Sequence, residues 1–171
     1  MANTYTLIAS NSVGSGGSAY VEFTSIPSTY TDLKLVGSAR TDRSDSWLDY
    51  VSLLPNGSSS NISMRRLYGT GSTVGSDTSA SYLLAEADTA LDTANTFSNF
   101  EFYIPNYNSS NYKSLSIDAV MENNSSTNNQ MSLSAGLWSS TAAITSLRLN
   151  VVGGTQFVQY STFYLYGIKN S

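Results

Sequence analysis

The sequence predicts an all-β fold: a two-sheet antiparallel sandwich, jelly-roll-like, in one domain spanning residues 1–171. Three observations predict it. Apolar residues alternate with polar ones at period two in segment after segment. Short Gly, Asn, Ser and Pro clusters punctuate those segments. Finally, the length suits a single core that needs no disulfide staple, and the chain has no cysteine.

A first strand is expected near Tyr5 to Ala9. Val21 and Phe23 then alternate with Glu22 and Thr24, and Leu33, Leu35, Gly37 and Ala39 share a face opposite Asp32 and Lys34. Pro55-Asn56-Gly57 after Leu53 and Leu54 predicts a hairpin turn, because Asn-Gly tolerates positive φ at both central positions. Gly69 to Ser81 is rich in Gly, Ser and Thr and reads as a long exposed loop. Leu83 to Asp92 is alanine-rich and unbranched without a clean apolar stripe. It reads as either a loop or the one short helix the chain admits.

Further strands follow. Phe100, Phe102 and Ile104 alternate with Glu101 and Tyr103, and Leu115, Ile117, Ala119 and Met121 alternate with Ser116, Asp118 and Val120. Met131, Leu133, Ala135 and Leu137 alternate with Ser132, Ser134 and Gly136. Leu147, Leu149 and Val151 alternate with Arg148 and Asn150, and a last strand is expected near Phe163 to Ile168. Asn106 to Asn111 and Glu122 to Asn129 read as polar turns between strands, and Val152 to Thr155 as another hairpin turn. The total is roughly nine or ten strands.

Composition narrows the function. There is no histidine, so the usual acid–base group near pH 7 and the commonest metal ligand are missing, as is the thiol nucleophile. A nucleophilic serine would need a lysine base, and Lys34, Lys113 and Lys169 fall in no such motif. Asp42, Asp45 and Asp49 could offer oxygens to calcium, but their spacing matches no calcium loop. Glu86, Asp88 and Asp92 could pair for glycoside hydrolysis, as could any few acids in a chain with twelve. The expectation is a chain that is no enzyme and takes no cofactor or metal.

Only 12% of residues are charged, and the net charge is −4. The eight Lys and Arg form no basic stripe, so no nucleic-acid partner is expected. No apolar run reaches the length of a membrane span, and the first residues lack the pattern of a secretory leader. Five Asn-X-Ser acceptor patterns occur, as chance provides in so Asn- and Ser-rich a chain. Twelve tyrosines and two tryptophans suit an interface, where an aromatic ring anchors and a polar tip stays wet. The candidate interface residues are Trp47, Tyr103, Tyr107, Tyr112, Trp138, Tyr164 and Tyr166.

Several phrases are distinctive. They are Tyr5 to Asn11 with Gly14 to Gly17, Phe23 to Leu33, Asn95 to Asn99 with Tyr103 to Tyr107, Gly136 to Leu147, and Tyr164 to Ile168. In these, over nearly its whole length, the chain resembles a family of small virion proteins of tailed phages of marine bacteria and cyanobacteria. The resemblance implies a particle component and no catalytic residues. The first expectation is a head-decoration or cement protein, a homotrimer on the outer surface of the virion. Its partners would be the major capsid protein or other virion proteins. The alternative is a tail-fibre or tail-tip module that binds a receptor or host glycan.

Overall fold

A computed structural model describes residues 4–169. Twelve strands and no helix are present among them. They are β1 (Tyr5–Ser12), β2 (Tyr20–Phe23), β3 (Asp32–Ala39), β4 (Asp49–Pro55), β5 (Ile62–Gly69), β6 (Val74–Ser79), β7 (Leu83–Ala87), β8 (Ser98–Ile104), β9 (Lys113–Met121), β10 (Gln130–Trp138), β11 (Leu147–Val151) and β12 (Thr162–Ile168). They form two antiparallel sheets, with orders β1-β12-β3-β8-β9-β10-β5-β6 and β2-β11-β4-β7. The chain passes from one sheet to the other at most connections, so the two sheets form one sandwich. Three hairpins, β5–β6, β8–β9 and β9–β10, keep it within the large sheet.

The core lies where the predicted apolar faces meet. In the small sheet, Val21, Leu149, Leu53 and Leu83 are cross-strand neighbours, all buried. In the large sheet Leu165, Leu35, Phe102 and Ile117 form a matching row. The next row holds Phe163, Gly37, Phe100 and Ala119. Gly37 is glycine for a steric reason: a Cβ there would sit 2.3 Å from Cζ of Phe100.

Four expectations are corrected. Twelve strands replace nine or ten. Leu83 to Asp92 is neither helix nor plain loop, because it begins with β7. Leu83, Ala85 and Ala87 bury one side of that edge strand, while Glu86 on the other side is equally buried by β5 and β10 of the large sheet. A strand covered on both sides shows no alternation to read. Within Gly69 to Ser81, residues Val74–Ser79 form β6, an edge strand paired to β5. Its sequence is polar because few of its side chains reach the core. Asn56 and Gly57 do take positive φ, 50° and 69°. However, β4 and β5 lie in different sheets, as do β11 and β12 on either side of Val152 to Thr155, so each turn redirects the chain and closes no hairpin.

Candidate functional site

Among the described residues, the outward face of the large sheet carries exposed apolar side chains in register. Cross-strand neighbours form three rows. One runs Leu7, Tyr166, Lys34, Tyr103, Ser116, Ala135, Arg65, Thr78. The second runs Ser10, Tyr164, Val36, Glu101, Asp118, Leu133, Leu67, Ser76. The third runs Ser12, Thr162, Ser38, Asn99, Val120, Met131, Gly69, Val74.

This face has three zones. Over β1, β12, β3 and β8 it is aromatic. Tyr164 and Tyr166 stack with ring centroids 6.5 Å apart, and Tyr5 meets Tyr166 edge-on at 6.4 Å. Tyr103 shares the zone and donates its hydroxyl to Asp32 at 2.8 Å. That hydrogen bond, then burial, raises the Tyr103 pKa above the ordinary phenol value. The middle zone is charged. Lys34 pairs with Glu101 at 2.7 Å, and Asp118 stands directly opposite Glu101 on β9. Over β10, β5 and β6 the face is aliphatic. Leu67 is 65% exposed, Val74 92%, and Met131 and Leu133 57% each. Arg65, Leu67, Glu101, Asp118 and Leu133 line a trough of about 600 Å³ across the last two zones.

The aliphatic zone exists because this part of the sheet is turned inside out. The alternation over β10 is present as predicted, but Gln130, Ser132, Ser134 and Gly136 face inward and Met131 and Leu133 face solvent. The inward residues meet Glu86. Its carboxylate accepts from Gln130 Nε2 at 2.8 Å, Ser132 Oγ at 2.6 Å and Arg66 Nη1 at 2.8 Å. Arg66 also pairs with Asp77, and its guanidinium lies 5.1 Å from the ring centres of Tyr50 and Tyr68. Burial works against the Arg66 charge. The hydrogen bond to Asp77 and the charge of Glu86 still hold its pKa above the ordinary value. Glycine at 136 fits the same picture, since a Cβ there would lie 2.6 Å from Cδ2 of Leu83.

The predicted interface residues separate. Tyr103, Tyr164 and Tyr166 share the aromatic zone. Tyr112 is exposed just before β9, and Trp47 is half-buried in the β3–β4 connection. Tyr107 and Trp138 are corrected, being buried. Tyr107 donates its hydroxyl to Pro27 O, and Lys113 lies 5.7 Å above the Trp138 ring. Alternation placed Trp138 at a strand end, where its ring turns inward with the serines of β10. Leu67, Val74, Met131 and Leu133 were missed, since in a sequence an apolar residue reads as core.

The candidate carboxylates are mostly spent on structure. Asp49 accepts from Thr41 Oγ1 and from the Tyr50, Gly153 and Gly154 amides. Asp42 accepts from the Thr155 and Gln156 amides. Burial works against its charge, but the Thr155 hydroxyl, which also donates to it, and these amides hold its pKa below the usual carboxylate range. Asp45 is exposed and pairs with Arg43. Asp88 and Asp92 are buried, and burial raises both pKa values. Among the described residues no three acids converge as a metal site would need. Lys113 donates to the carbonyls of Ser109, Ser140 and Ala142, and Lys34 to Glu101. The Asn56 amide bonds Ala143 O, Thr145 N and Ser146 N, so this acceptor side chain is tied into the fold.

The chain matches no protein-family model and no curated protein.

Proposed function

We propose that the chain is a structural component of a phage particle, a head-decoration protein that binds the outside of the assembled capsid. The virion assignment rests on the family resemblance. The observation that carries a binding role is the aromatic zone of the large sheet, with its stacked Tyr164–Tyr166 pair. Rigid rings on a sheet lose little side-chain entropy when covered, and their hydroxyls accept polar partners. A protein that binds only the assembled shell stabilises that shell by mass action. The stacked pair equally suits a sugar ring, which favours tail placement with a host glycan as the second reading.

Two measurements test the proposal. Quantitative mass spectrometry of purified particles against the major capsid protein should give a copy number on the order of hundreds. A handful of copies would mean tail placement. Replacing Tyr164 and Tyr166 together with Ala should weaken particle binding at least about tenfold. Wild-type binding should change little from low to physiological salt, because screening acts on charges. A steep salt dependence would overturn this account of the contacts.

A further inference from the structure

We propose that the aliphatic zone over β10, β5 and β6 is the interface of a two-fold homodimer, packed face to face. The inference rests on the zoning of the sheet and not on the particle assignment. Purified protein in solution therefore tests it without any particle.

Area comes first. The exposed surface of Leu67, Val74, Met131, Leu133 and Val120 amounts to about 500 Å², near the top of the range for the largest apolar patch on a monomer. A standard interface covers about 800 Å² per partner, an apolar centre of this size with a polar rim. The patch extends onto β6, one of the two edge strands of the sheet.

Charge complementarity selects the occupant. Arg65 on β5 and Asp118 on β9 lie on opposite flanks of the patch, one strand to either side of β10 and one row apart. Both are exposed, and neither has an ion-pair partner among the described residues. With strands about 4.8 Å apart and about 3.4 Å per residue, they stand about 12 Å from each other. Consider a two-fold axis lying in the plane of the interface, midway between them. On the same lattice it passes within about 2 Å of Leu67, Leu133 and Val74. A second copy related by that axis sets its Leu67 beside this copy's Leu133 and its Val74 against Val74. It also sets Arg65 of each copy over Asp118 of the other. An isologous contact needs this self-complementarity, in which residue i meets j and j meets i. A two-fold dimer is the alternative to the homotrimer expected of a head-decoration protein.

The test is sedimentation velocity on the purified full chain. Wild type should sediment as a dimer at tens of micromolar. Leu133→Asp should be monomeric with unchanged circular dichroism, because the side chain it replaces faces solvent and not the core. Arg65→Asp and Asp118→Arg should each raise the dimer Kd about tenfold or more, and the double variant should restore it within about threefold. A wild-type monomer at 100 μM or more overturns the proposal. So does an oligomer that Leu133→Asp leaves intact, or a charge swap that fails to rescue.

Discussion

Glu86→Ala is expected to be the most destabilising single polar substitution in the fold, by about 3–5 kcal/mol. Glu86 is fully buried and accepts three hydrogen bonds, one from an arginine that is itself 7% exposed. Truncation leaves Arg66 with Asp77 as its one ion-pair partner, and it strands the Gln130 amide and the Ser132 hydroxyl in a dry place. A buried donor left without an acceptor loses its hydration uncompensated, about 1–3 kcal/mol each, though a serine hydroxyl can turn elsewhere. For a chain of this length each kcal/mol shifts Tm by about 2–4 °C, so the loss should be about 6–20 °C. Urea unfolding followed by circular dichroism measures it. Two controls sharpen the result. Glu101→Ala breaks the exposed pair with Lys34 and should cost at most about 1 kcal/mol. Replacing Arg66 by Met and Glu86 by Leu together should recover much of the loss, since a paired apolar replacement leaves no lone charge. If Glu86→Ala costs no more than Glu101→Ala, the network does not hold the sheets in this register.

Gly37→Ala should cost about 1–3 kcal/mol by overpacking. The Phe100 ring it would strike cannot retreat, being wedged beside Phe102 and Phe163, and urea unfolding reads the loss. Asp88→Asn should stabilise the protein at neutral pH. Burial, and then the charge of Asp92, lifts the Asp88 pKa above its ordinary value of 3.8. The folded chain therefore binds more protons than the unfolded one between 3.8 and that raised value, and stability declines as pH rises through this window. The Tm advantage of the variant should appear above the window and vanish below 3.8; an advantage that persists in acid would count against it.

Much of the fold was legible because a half-buried strand writes its burial directly into sequence. Leu33-Lys34-Leu35 and Leu115-Ser116-Ile117 each say which side is in. Legibility failed where that premise fails. β7 is covered on both sides, so Leu83 to Ala87 shows no period. β6 is an edge with few side chains in the core, so Val74 to Ser79 reads as loop. In β10 the period is present, but the polar side is the buried one, because Gln130 and Ser132 have a buried carboxylate to bond. Of the candidate interface residues, which aromatic content alone singled out, Tyr103, Tyr164 and Tyr166 share the outward face of the large sheet. Tyr107 and Trp138 carry the same content into the core.

The inverted segment joins the core to the surface. Period two ties the sides of a strand together: if Gln130 and Ser132 point at Glu86, then Met131 and Leu133 must point away. The same holds across the ladder, where Arg66 inward on β5 places Leu67 outward. A slip of one residue would bury the leucines and the methionine and expose the serines, gaining about 1.5–3 kcal/mol for each large side chain. It would also leave a buried glutamate facing hydrocarbon, at a cost of several kcal/mol unless it took up a proton. The polar network opposes that gain, and the register that satisfies it leaves an apolar outer face. In an isolated chain that face contributes nothing to folding. It gains stability only when covered, so the buried glutamate, far from the surface, sets what the surface can bind.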